Sequence, residues 1–144
     1  MSFMGSMSIS ASALTATRLR MDVIAENIAN IDTTRTEYGD PYRRKYVVFQ
    51  ERSNDRDFAT FFNRARQAPR GVRVVGIGRD MSEFKLDHNP SHPDADEDGF
   101  VRLPNVEVVQ EMTDMMAAVR SYEANITALN AFKDMATKAL EIGR

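Results

Sequence analysis

VEVVQEMTDMMAAVRSYEANITALNAFKDMATKALEI, residues 106–142, carries the longest unbroken pattern in the chain. Met112, Met115, Val119, Tyr122, Ile126 and Leu129 recur alternately three and four positions apart, followed by Ala136 and Leu140, with Lys133 taking one seam position. That alternation is the heptad signature of a helix that buries a narrow seam against another long helix. No glycine or proline interrupts it before Gly143. Such a helix is roughly 55 Å long at about 1.5 Å per residue. A compact globule of this chain length has a radius of gyration of about 14–15 Å, so a diameter under about 40 Å. The helix overshoots its own domain. Its seam must be completed at the other end of the chain or on a neighbouring subunit.

The other end supplies a matching pattern. Leu14, Met21 and Ile28 recur every seven residues, and Ile24 and Ile31 form a second row, which predicts a helix over residues 8–31. Ser8 or Ser10 can cap it, and Asp32-Thr33-Thr34 should stop it. Its serines and threonines weaken intrinsic propensity, so this helix needs packing. Leu14, Met21, Ile24, Ile28 and Ile31 are expected to pack on Met112, Met115, Val119, Tyr122, Ile126 and Leu129, within one subunit or between two. Met112, Met115, Met116 and Met135 read as adaptable seam packing more than as a ligand surface.

Between the helices, Tyr46–Phe49, Val72–Val75, Phe84–Leu86 and Phe100–Leu103 read as short strands. Phe58, Phe61, Phe62 and Ala65 are spaced for a short helix over 55–67, although an extended reading also puts the aromatics on one face. Residues 87–99 read as a loop dense in Pro, Asp, Asn and His. The expected fold class is mainly α with a small β-rich insert: paired long N- and C-terminal helices, coiled-coil-like, flanking a short β domain. The expected divisions are 1–41, 42–104 and 105–144.

Composition narrows the function. The chain has 144 residues, net charge −2 and no cysteine. The balanced charge gives no field for a phosphate backbone, and Arg43-Arg44-Lys45 reads as a solvated or subunit-facing loop. Lack of cysteine removes disulfides, thiolate metal sites and cysteine nucleophiles. There is no run of about 18 apolar residues to span a membrane, and the first residues lack the apolar core of a cleavable signal.

Candidate chemistry is sparse. Asp94, Asp96, Asp98 and Gly99 copy four positions of an EF-hand calcium loop, but the closing carboxylate is replaced by Asn105 and Pro93 precedes the loop. His88 and His92 sit beside Asp87 and Asp94, yet a Pro-flanked loop does not converge two rings as a helix would. Gly76-Ile77-Gly78 lacks the third glycine of a dinucleotide site. No nucleophile elbow occurs, and no carboxylate pair stands out as an acid–base couple. A calcium- or zinc-dependent enzyme or sensor and a cytosolic coiled-coil adaptor are the competing readings from other classes.

Several separated motifs carry a family resemblance. Asn27-Ile28-Ala29-Asn30 followed by Thr33-Thr34 resembles the N-I-A-N-x-x-T motif of the flagellar axial proteins, which build the rod and hook of the bacterial flagellum. Thr33-Thr34-Arg35, Gly39-Asp40-Pro41-Tyr42-Arg43-Arg44-Lys45, Asn89–Asp96, Asp98–Val101 and Leu103–Val106 resemble its short proximal-rod branch. Glu111-Met112 and Arg120-Ser121-Tyr122-Glu123-Ala124-Asn125 resemble its C-terminal helix. The match thins between residues 53 and 71.

The resemblance implies a structural subunit of the proximal rod in the basal body, spanning the periplasm, exported without a cleaved signal and assembled helically around the export channel. It implies no catalysis and no cofactor. The implied partners are the rod proteins FlgB, FlgF and FlgG, the rod–MS-ring adaptor FliE and the flagellar type III export apparatus. Asn27, Asn30, Arg120, Glu123 and Asn125 are expected to make the polar contacts that fix register.

Overall fold

The computed structural model describes residues 3–52 and 71–142. In chain order the elements are α1 (Phe3–Ala29), β1 (Lys45–Glu51), β2 (Val72–Arg79), β3 (Lys85–His88), β4 (Phe100–Leu103) and α2 (Val108–Ile142). Two long helices thus flank a small β insert, as the sequence patterns anticipate. The helix anticipated over 55–67 and the stop at Gly143 lie outside the described residues.

α1 begins at Phe3, earlier than its seam pattern indicated. Ser12, Thr15 and Thr17 return their hydroxyls to the carbonyls of Ile9, Ala11 and Ala13, which keeps these weak helix formers inside the helix. At the other end Asn30 Nδ2 donates to the Glu26 carbonyl at 2.9 Å, satisfying one orphan acceptor of the last turn. Thr33 N–H then closes a turn on the Asn30 carbonyl.

The helices run antiparallel: Asn27 near the end of α1 meets Glu111 at the start of α2, and Arg20 meets Asp114 further along. α1 is the one regular element that α2 touches among those described. At 27 and 35 residues the two helices span about 40 and 52 Å.

The face that α2 turns to α1 is displaced from the anticipated seam. Glu111 and Ala118 are buried, and Met115, Tyr122, Asn125, Leu129, Phe132 and Ala136 are half-buried, again at 4-3 spacing. Met112, Val119 and Ile126 lie outward, 55, 38 and 37 % exposed. So one heptad row of the pattern (Met115, Tyr122, Leu129) is used within the chain and the other is not. Ala118 is small enough to let the helix axes approach, whereas a methionine row would hold them apart. On α1 the buried positions are Ser10, Ala16, Val23, Ile24 and Asn27, with Leu14, Met21 and Ile28 half-buried, and Ile31, also half-buried, lies in the turn beyond the helix.

The insert is two separate antiparallel pairs, β1–β2 and β3–β4. β1 pairs Tyr46 with Gly78 and Val48 with Gly76, then Phe49 with Val74, so Val75 is the extra residue of a bulge. Two-stranded pairs are marginal alone and lean on other elements. β1–β2 rests on α1, where Val72 N–H donates to Ser12 Oγ at 3.1 Å. β3–β4 pairs Lys85 with Leu103 through His88 with Phe100. It is tied to the segment that leads into α2 by Lys85 Nζ on the Val106 carbonyl at 2.8 Å, beside buried Val101, Pro104 and Val106. β3 runs to His88, so Asp87 and His88 belong to a strand and not to the loop expected over 87–99. The chain exposes 10799 Å², against about 7,500 Å² for a compact monomer of this mass.

Gly71 is the tightest joint between insert and helix. Its φ is +96°, and a Cβ there would lie 2.2 Å from Ser12 Oγ and 3.3 Å from Ile9 Cα. Gly71→Ala should lower unfolding stability by about 1–3 kcal/mol. Gly76→Ala, with nothing within 4 Å of its Cβ, should stay within about 0.5 kcal/mol. Urea denaturation of both variants checks this; equal effects would contradict the joint.

Candidate assembly surface and its buried anchor

The polar residues that α1 and α2 bury form one connected network. Asn27 is 1 % exposed and all four of its hydrogen-bond capacities are filled. Its Nδ2 donates to the Lys45 carbonyl and to Glu111 Oε2, each at 2.9 Å. Its Oδ1 accepts from the Tyr42 hydroxyl and from Lys45 N–H, each at 2.9 Å. One amide therefore ties α1 to α2 and to the first residue of β1.

Glu111 is fully buried, and its second oxygen accepts from Arg44 Nε at 2.6 Å. Arg44 Nη2 reaches Asp114 at 3.4 Å, and Asp114 also meets Arg20 Nη2 at 3.5 Å. A charge chain Arg20–Asp114–Arg44–Glu111 thus crosses from α1 to α2 at Arg20–Asp114, and Arg44 bridges the two α2 carboxylates. Arg44 N–H donates to Asn105 Oδ1 at 2.8 Å, and Asn105 Nδ2 donates to the Asp80 carbonyl and to Ser82 Oγ. Lys45 Nζ pairs with Glu26 and sits over the Tyr42 ring. Arg43 stacks on Phe84, its guanidinium 4.1 Å from the ring centre. Arg43-Arg44-Lys45 is therefore an internal tie between helices and insert, not the solvated or subunit-facing loop that its charge alone implied.

Tyr42 is pushed up to about 12 from 10.0 by its burial and by the nearby carboxylates of Glu26 and Glu111. Tyrosinate would also lose the hydroxyl proton it donates to Asn27.

A second link joins the segment after α1 to the loop between β3 and β4. Thr34 Oγ1 donates to Asp94 Oδ2 at 2.8 Å, and Arg35 Nη1 lies 3.9 Å from Asp94 Oδ1. Thr33 Oγ1 donates to Asn30 Oδ1, and Tyr42 N–H donates to the Thr33 carbonyl. Buried Pro41 follows. Asp94, first in the calcium-like spacing, thus faces the motif loop, while Asp96 lies 3.9 Å from Arg102. His88 sits edge-on to Phe100, and His92 Nδ1 accepts from Asp94 N–H. Gly99 takes a φ of +78° and packs against Pro90, closing that hairpin. Among the described residues, no three His, Asp or Glu side chains are grouped to hold a metal ion, and no helix is long and apolar enough to cross a membrane.

Of the residues expected to fix register, Asn27 is at the centre of the network and Asn30 caps α1. Asn125 returns its amide to the Ser121 carbonyl of its own helix at 2.8 Å. Arg120 and Glu123 are exposed on α2, and Ala29 is exposed at the end of α1. Asp114 and Arg20 were not singled out from sequence, and Glu111 and Arg44 were quoted only as parts of motifs, without the buried pairing that the structure gives them.

Known proteins share these features. Residues 7–35 match the family described as flagella basal body rod protein, and residues 97–142 match the flagellar basal body rod FlgEFG protein C-terminal family. The flagellar basal-body rod protein FlgC of Bacillus subtilis is 47 % identical, covering 96 % of this chain and 97 % of its own length. The protein of that name from Borreliella burgdorferi is 44 % identical over 99 % of this chain and 98 % of its own. That from Salmonella typhimurium is 43 % identical over 94 % of each.

Two outcomes test the anchor. Asn27→Asp removes both donors and sets an anion against Glu111, and should cost at least about 3 kcal/mol. Adding Glu111→Gln restores a donor to that pair, so the double variant should recover part of the loss in a urea double-mutant cycle. For Tyr42 the folded value lies above the unfolded one. Its stabilisation is complete below pH 10 and is lost as pH rises through about 12. Denaturation midpoints should fall over that window more steeply in the parent than in Tyr42→Phe. The difference between the two proteins isolates Tyr42.

Proposed function

The chain belongs to the flagellar basal-body rod protein family, and we propose that within that rod it is a proximal-rod subunit whose paired helices form the inner tube wall. In this reading residues 1–41 and 105–144 build the tube and residues 42–104 lie further out. The subunit does no catalysis and needs no cofactor. It is delivered by the flagellar type III export apparatus and assembles helically with the rod proteins FlgB, FlgF and FlgG and the adaptor FliE. It passes torque from motor to hook across the periplasm.

The observation that carries this reading is the division of the α2 pattern. One heptad row is engaged by α1, while Met112, Val119 and Ile126, with Val109 and Met116 beside them, face outward. A cluster of large apolar side chains exposed along one helix face marks a contact surface. The family motifs fall mainly on the anchor and on the turn after α1, where they hold the helical hairpin in one shape. Torque transmission needs such rigidity: each subunit must hand load to its neighbours without changing its own helix register.

The two rows respond differently to charge. Met112→Asp and Ile126→Asp lie on the outer row and should change unfolding stability by less than about 0.5 kcal/mol. They should nevertheless abolish swimming when they replace the chromosomal copy. Met115→Asp, on the inner row, should cost about 2–4 kcal/mol as well. Normal swimming by the Ile126→Asp strain would sink the tube-wall reading.

A further inference from the structure

The outward row of α2 continues as Met112, Met116, Val119, Glu123, Ile126, Asn130 and Lys133, at 4-3-4-3-4-3 spacing, every one exposed. α1 carries an outward row of its own in the same period: Ser8, Ala11, Thr15, Arg18, Asp22, Ala25 and Ala29, every one exposed. Ser8, Ala11, Thr15, Arg18 and Asp22 of that row form one wall of a groove of about 620 Å³ whose other wall is the start of β2, with Arg52 and Arg73 at its rim, and Ala25 and Ala29 continue the row beyond it. The groove is basic and lined by small residues. The α2 row is bulky, with a carboxylate at its middle.

Resting on the rod-subunit reading, we propose that the outer row of α2 in one copy seats in the α1–β2 groove of a second copy, antiparallel to α1, with Glu123 opposite Arg18. Charge selects this register. Neither Arg18 nor Glu123 has a side-chain partner among the described residues. With Glu123 against Arg18 and the helices antiparallel, Arg120 falls beside Asp22, so two opposite-charge pairs form at once. The same alignment sets Met116 over Ala25, Met112 over Ala29 and Ile126 over Thr15, bulky side chains on small ones, and leaves Val119 beside the Arg120–Asp22 pair. Turning the helix round keeps the first ion pair but moves Arg120 away from Asp22. It also sets Ala25 and Ala29 against Asn130 and Asp134.

The two rows differ in size and charge, so like does not meet like. Both also point away from the contact between α1 and α2, so one chain cannot join them to each other. The contact is therefore heterologous, and repetition of it builds an open series of subunits instead of a closed pair.

The absence of cysteine in the chain gives a clean test. Ala25→Cys and Met116→Cys are introduced together into the chromosomal copy of the full chain, and basal bodies are purified and oxidised. The expected result is disulfide-linked dimers and higher multiples of this chain, absent from either single variant, because facing positions bring Cα atoms within the reach of a disulfide. Ala29→Cys with Met112→Cys should behave alike. In the cross-linking background, Arg18→Glu or Glu123→Arg should each lower yield about tenfold, and the two together should restore it. Basal bodies that contain the double-cysteine chain but yield no dimer would overturn the register. So would dimers from Met116→Cys alone, which would mean that α2 meets α2. Basal bodies lacking the chain altogether would instead overturn the rod-subunit reading beneath it.

Discussion

The hydrogen bonds of the Asn27 amide are the constraint on which the rest of the fold depends. Burial of apolar surface is non-directional and cannot by itself choose which face of α2 meets α1. A buried amide can: it must find two acceptors and two donors at fixed angles, and Glu111, Tyr42 and both peptide groups of Lys45 supply them. Rotating α2 by one residue, about 100°, would leave the Glu111 carboxylate buried without Asn27 or expose it and break its bond to Arg44. Because Lys45 opens β1, the same amide also sets where the insert begins. The insert then reaches back to the helices through Asn105, Lys85 and Ser12.

That constraint explains what the sequence could and could not disclose. The 3-4 pattern of α2 marked a long helix and a long partner, and both are present. It did not reveal which of two adjacent rows faces inward. Judged by apolar content, the row of Met112, Val119 and Ile126 is the natural core. The row that replaces it contains Glu111 and Asn125, which no hydrophobicity count would place inside. Burial of Glu111 is made favourable by Asn27, some 84 positions earlier, and by Arg44, 67 positions earlier. A pairing at that separation has no local signature.

The insert shows the same contrast between local and distant signals. Strand positions were legible because β-branched and aromatic residues cluster there, and β4 spans the residues anticipated. Pairing was not, because β1 and β2 are separated by many residues and their register shifts at Val75. The acidic 94–99 stretch was legible as a turn. What it attaches to was not, since the Thr34–Asp94 bond joins segments 60 positions apart. Asx-rich turns and calcium loops share residue types for a common reason: short carboxylate side chains fold back on the local backbone and on nearby donors.

The same polar anchor bears on why so much apolar surface remains outside. Helix pairs that rely on apolar burial alone must bring their richest rows together, and nothing is left for a neighbour. Here directional bonds among Asn27, Glu111, Arg44 and Asp114 hold the hairpin, with Ala118 as the close contact. Methionine, valine and isoleucine side chains are thereby left on the outer face of α2. In the assembly proposed above, polar bonds within the subunit would hold the hairpin and the outward apolar residues would meet the next copy, which divides the two tasks. Salt and temperature should accordingly affect folding and assembly differently, since charged bonds weaken with ionic strength whereas apolar association strengthens on mild warming.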